Sequence, residues 1–145
     1  MSEEQAVSTE PEKQAEDEVK EKAKALPAFL NARPDAPTET QIEAWKAKFD
    51  EVFVSGFSEE ELFVWRPVFR PEYLLLQREA TDQQTGVIDQ PTFETLVCET
   101  CVLYNSTKRS VANGKAGTAS TLAEQILQNS NFIPAQMAML LVAKL

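Results

Sequence analysis

Apolar positions first recur at a helical interval after residue 38. Ile42, Trp45 and Phe49 fall at i, i+3 and i+7, which is one stripe of a helix. Thr38, with Gln41 three residues on, has capping-box spacing. The interval then changes. Val52, Phe53 and Val54, and later Leu62, Phe63, Val64 and Trp65, are β-branched or aromatic runs, with Ser55-Gly56 and Ser58-Glu59 between them. They predict a short β-hairpin, residues 51–56 and 61–66, closed by Pro67.

Pro71 and Glu72 suit a first helical turn, so a helix is predicted over 71–80. A loop follows to residue 90, and Pro91 opens a second helix running to about Tyr104. Residues 106–120 hold Asn-Gly, a further glycine and small polar side chains, the composition of a long loop. Ser120 or Thr121 then caps a helix over 121–129, with Leu122, Ile126 and Leu127 as its stripe. From Pro134 onward, PAQMAMLLVAKL is apolar almost all round.

Residues 1–26 show neither period. They are rich in Glu, Lys, Gln and Ala and hold too little apolar surface to offset ordering. Glu16–Lys20 and Glu18–Lys22 are i,i+4 pairs that favour transient helix. Pro27, Pro34 and Pro37 make the next stretch read as extended linker. The expected fold is therefore α+β: a disordered acidic tail and linker over 1–37, then one helix-rich domain over 38–145 with a single hairpin.

The net charge of −9 is uneven. Residues 1–24 carry eight acids and four lysines, 25–90 twelve acids and six bases, and 91–145 three acids and four bases. No basic footprint for nucleic acid is visible. No apolar run approaches the roughly 20 residues of a membrane span, and the first residues lack the apolar core of a signal peptide. A cytosolic, reducing setting is expected. There is no histidine, which removes the commonest general base and metal ligand and every Ser-His-Asp or Cys-His mechanism. An enzyme is not expected, and no cofactor is implied.

Both cysteines lie in LVCETCVLYN, as Cys98 and Cys101. The C-x-x-C pair falls inside a predicted helix, away from the helix N-terminus that lowers a thiol's pKa. Two thiolates supply half of a structural zinc site, so metal binding needs a dimer. The alternative is two small apolar side chains on one helical face. Gly114-Lys115 lacks the glycine spacing and hydroxyl residue of a P-loop. The acidic run in FSEEEL fits a solvated turn better than a cation site.

Two stretches stand out as contact surfaces. In VWRPVFRPEY, Trp65, Arg66, Phe69, Arg70 and Tyr73 are residue types that interface centres favour; the competing reading packs the aromatics in the core. In MAMLLVAKL, Met137, Met139, Leu140 and Leu141 are either a centrally buried helix or an adaptable sticky end.

The segments VWRP and RPEY, the helix VCETCVL and the run from Gly117 to Phe132 carry a resemblance. Over about residues 40–133 the chain resembles a family of small proteins encoded among the tail genes of contractile-tailed, T4-like bacteriophages, described as baseplate-hub or tail-assembly proteins. The resemblance implies a non-enzymatic accessory protein of tail or baseplate assembly. Its partners would be other tail or baseplate proteins, with self-association open, in the host cytoplasm and as a virion component if retained. The chain departs in its acidic residues 1–37 and in Asn131, where glycine is expected before Phe132. Asparagine also tolerates left-handed backbone.

Overall fold

The computed structural model describes residues 2–145, with side chains from Glu10 onward; Met1 lies outside the described residues. The fold is α+β. Helix α1 is Ser2–Asn31 and α2 is Glu39–Phe49. Strands β1, Phe53–Ser58, and β2, Glu61–Trp65, form the hairpin. Helices α3, Arg70–Ala80, and α4, Gln90–Cys101, lead into a third strand, β3, Val102–Asn105. Helix α5 is Thr118–Gln128 and the short α6 is Ala135–Ala138.

The sheet is antiparallel in the order β1-β2-β3. Phe53 faces Trp65 and Ser55 faces Phe63 across the hairpin, while Val64 faces Tyr104 on the other side. Strand β2 is central and alternates between two packed layers. Phe63 and Trp65 enter the main core with Leu76 of α3, Val97, Cys98 and Cys101 of α4, and Leu122 and Ile126 of α5. Leu62 and Val64 point the opposite way, to Leu30 of α1 and the half-buried Trp45 of α2. Burial on both faces explains why LFVW is a continuous apolar run, without the polar alternation of a half-exposed strand.

The capping box is present: Gln41 N–H donates to Thr38 Oγ1 (3.2 Å) and Thr38 N–H to Gln41 Oε1 (2.9 Å). Three readings of the sequence are corrected. First, α4 stops at Cys101, and Val102–Asn105 pairs with β2. Val-Leu-Tyr is good strand material, and pairing to an open sheet edge outweighs continuing the helix. Second, α5 begins at Thr118, a turn before the expected cap, with Thr118 buried.

Third, the stretch read as tail and linker is helical to Asn31. Glu, Lys, Gln and Ala are strong helix formers. Residues 10–24 are all exposed. The last two turns do pack: Leu26, Phe29 and Leu30 cover the sheet face formed by Leu62 and Val64. Pro27 costs the Ala23 carbonyl its helical donor, but both residues are exposed, so water can take that carbonyl. Gly56 makes the docking possible. A Cβ there would lie 2.5 Å from Leu26 Cδ2 and 2.8 Å from Leu62 Cδ2.

Beyond α1 the chain is pinned to β3. Arg33 Nε–H donates to the Tyr104 hydroxyl (3.1 Å), and that hydroxyl donates to Asp35 Oδ1 (2.9 Å). Pro37 is buried, so residues 32–37 are part of the packed body.

Candidate functional site

The segment leaving β2 divides into an inner and an outer half. Trp65 is 3% exposed. It stacks on Phe53 at 4.6 Å and donates its indole N–H to Ser55 Oγ (2.7 Å). The Ser55 hydroxyl in turn donates to Gln125 Oε1 of α5 (2.6 Å). Arg66 is 6% exposed. Its guanidinium meets Glu72 through two parallel contacts, 2.5 and 2.9 Å, and donates to the carbonyls of Pro67 (3.1 Å) and Thr100 (3.2 Å). Its flat face lies 4.4 Å from the Phe49 ring centroid.

Arg66 thus ties α2, α3 and α4 to the end of β2. The Glu72 carboxylate raises the Arg66 pKa, and the Arg66 hydrogen bond holds Glu72 below its usual range. Trp65 and Arg66 are consumed by the interior. Neither is available to a partner, which corrects their placement on a contact surface. An apolar strand end requires Trp65 inside, and the charge-paired Glu72 makes burial of Arg66 tolerable.

The outer half is different. Phe69 is 41% exposed, and Arg70 is exposed and makes no ion pair within the described residues. Tyr73 is half-buried between Phe93 (centroids 5.7 Å) and Phe132 (4.8 Å), and its hydroxyl accepts from Gln77 Nε2 (2.8 Å).

Phe69 and Arg70 stand over a cleft of about 330 Å³ whose other walls include Phe49, Asp50, Asn129 and Asn131. A second cleft of about 280 Å³ adjoins it, sharing Val68, Arg70, Ser130 and Asn131 and adding Tyr73 and Phe132. The floor is fixed by Ser130, whose Oγ accepts from Val68 N–H (2.9 Å) while its hydroxyl donates to the Ile126 carbonyl (2.6 Å). Two non-glycine residues with positive φ shape the walls: Asp50 at 68° and Asn131 at 70°. Asn131 holds left-handed backbone, which asparagine tolerates better than most non-glycine residues. Asp50 sits in a tight turn, with Glu51 N–H donating to the Phe49 carbonyl at 2.8 Å.

Next to these clefts the chain continues into the apolar segment. It forms α6 and then a 3₁₀ turn, Met139–Leu141, with no buried residue in either. Met137 is 52% exposed, and Met139, Leu140, Leu141 and Val142 are 72–77% exposed. The centrally buried helix does not form; the segment is exposed. The structure therefore brings Phe69, Arg70 and Tyr73 together with Asn131 and Phe132. It leaves Met137, Met139, Leu140 and Leu141 on the adjoining arm. Asp50 and residues 129–132 were not read from the sequence as wall residues. The residue type with a signal for this turn is Asn131, since asparagine is among the residues that tolerate left-handed backbone.

Cys98 and Cys101 lie on one face of α4, both fully buried. Cys98 Sγ–H donates to the Ala119 carbonyl (3.3 Å). Burial pushes both thiols up to about 12. Reactive and metal-binding cysteines need the opposite shift. Among the described residues no group of three or more His, Cys, Asp or Glu side chains is placed to hold a metal, and no helix is long and apolar enough to cross a membrane. Lys115 pairs with Glu61 (3.2 Å), so the Gly-Lys dipeptide and the acidic run meet each other. Comparison with known protein families, with curated proteins and with solved structures finds no match to this chain.

Proposed function

We propose that this is a non-enzymatic interaction protein of contractile-tailed bacteriophage tail or baseplate assembly, acting as an assembly chaperone or as a structural subunit. The observation that carries the reading is the solvated apolar arm, Met137, Met139, Leu140 and Leu141, beside the Phe69–Arg70 clefts. Full burial of one such side chain is worth about 1.5–3 kcal/mol, so leaving four in water is costly for a chain with no partner. Methionines adapt to irregular surfaces, and Phe69 and Arg70 supply an aromatic contact and a free cation at the rim. The acidic excess on α1 and the hairpin keeps the free protein soluble or attracts a basic partner. The resemblance to the phage family supplies the biological setting. The chain would act in the host cytoplasm during assembly and, as a subunit, in the virion tail.

Quantitative mass spectrometry of purified virions and of infected-cell lysate tests the reading. Presence in virions at copy numbers matching the tail's rotational symmetry supports a subunit. Absence from virions, with co-purification of a tail component from lysate, supports a chaperone. Absence from both virions and tail-protein complexes overturns it.

A further inference from the structure

We propose that the chain is a two-fold dimer in which residues 135–145 of each copy seat in the cleft lined by Val68, Arg70, Tyr73 and Phe132 of the other. The proposal rests on reading this face as an interaction surface, and it names a second copy as an occupant.

Four observations converge on it. The first is the position of the arm. Phe132 is itself a wall of the receiving cleft, yet none of residues 133–145 lines either cleft. Between Phe132 and α6 stand only Ile133 and Pro134, and Pro134 is extended at φ −57°, ψ 146°. Folding back into the chain's own cleft would require a reversal within those two residues, one of them with φ fixed by its ring. A neighbouring copy meets the arm as it leaves, which is the geometry that favours exchange between protomers.

The second is charge. After Glu124 the only charged side chain is Lys144. Residues 1–124 carry a net −10 and residues 125–145 a net +1, so the arm itself brings no acidic charge to a second copy. Depletion of charge marks the centre of an interface.

The third is area. Met137, Met139, Leu140, Leu141 and Val142 are 52–77% exposed. Together they offer on the order of 500 Å² of apolar surface per copy, so the two arms of a two-fold pair bring about 1,000 Å² to the contact, the size at which specific interfaces begin.

The fourth is volume and symmetry. The receiving cleft of about 280 Å³ has room for about two groups the size of benzene or a leucine side chain. Arm and cleft sit side by side on one chain, so a two-fold axis satisfies both at once and leaves no unpaired copy of either.

Sedimentation velocity on the full chain, from about 1 to about 100 μM, tests this. The expected mass at the upper end is twice the chain's 16.2 kDa. Leu140→Asp with Leu141→Asp should weaken association at least about tenfold, with unchanged helicity because both positions are exposed. Arg70→Trp, which fills the cleft mouth, should do the same. Mixing these two variants, one of them tagged, should give a heterodimer, since one intact arm then meets one intact cleft. A monomer throughout the range overturns the dimer, as does a dimer indifferent to both variants. A monomer that still co-purifies with tail components overturns the dimer alone and leaves the proposed function standing.

Discussion

Removing the Ser55 hydroxyl isolates the one polar connection between the hairpin and α5 inside the main core. Ser55 accepts the Trp65 indole N–H at 2.7 Å and donates to Gln125 Oε1 at 2.6 Å. Ser55→Ala deletes both bonds and changes little volume. The two orphaned groups are not equivalent. Gln125 is only half-buried, so water can reach it. Trp65 is 3% exposed, so its N–H stays without a partner. An unsatisfied buried donor costs about 1–3 kcal/mol, and a lost solvated bond about 1 kcal/mol. The substitution should therefore destabilise by about 2–4 kcal/mol, lowering Tm by about 4 °C for each kcal/mol in a domain of this size. Urea unfolding followed by far-UV circular dichroism gives the number without relying on tryptophan emission. Trp65→Phe removes the donor, so in the double variant Ser55→Ala should cost less by about 1–2 kcal/mol. Strict additivity, or a loss below about 0.5 kcal/mol for Ser55→Ala, would refute the argument that this bond is needed.

Gly56→Ala places a methyl where Leu26 Cδ2 and the fully buried Leu62 now lie; it should cost about 1–2 kcal/mol and, by undocking the last turns of α1, speed proteolysis at Lys22 and Lys24. Adding Leu26→Ala should recover most of that loss of stability, and an α1 as protected from proteolysis in Gly56→Ala as in the wild type would sink the steric account. Glu72 carries a depressed pKa through its Arg66 hydrogen bond, so its stabilisation is complete above the unfolded value, about 4.3, and fades as pH falls through the lower folded value. The urea midpoint of Glu72→Gln should lie below that of the wild type at pH 7 and converge on it in acid; a gap that persists unchanged at about pH 2 would contradict this sign.

Much of the fold was legible because local signals agreed with burial. Thr38 and Gln41 announce α2, and the apolar runs around Ser55-Gly56 announce the hairpin. Pro71 and Pro91 announce α3 and α4. The errors have physical causes. Pro27 reads as a helix breaker because its cost is local, while the compensating contact of Leu26 with the sheet is remote. Strand β3 is hidden because it follows α4 without a turn residue, and only the open edge of β2 distinguishes strand from helix there. Composition alone does not separate Trp65 and Arg66 from Phe69 and Arg70. All four are interface-type residues, and only the register of β2 sends the first pair inward. The apolar arm was visible as a composition, but whether it was core or surface depended on space that the main core had already filled.

Helix α1 has a consequence for how the molecule travels in solution. Thirty residues of helix extend about 45 Å, comparable with the body itself, and only the last two turns rest on the sheet. Residues 10–24 alone add a rod of about 22 Å. Such a projection raises friction without adding much mass, so a single copy will elute early from a sizing column and mimic a larger globule. Stoichiometry for this chain has to be weighed, by sedimentation or light scattering, because its silhouette overstates it.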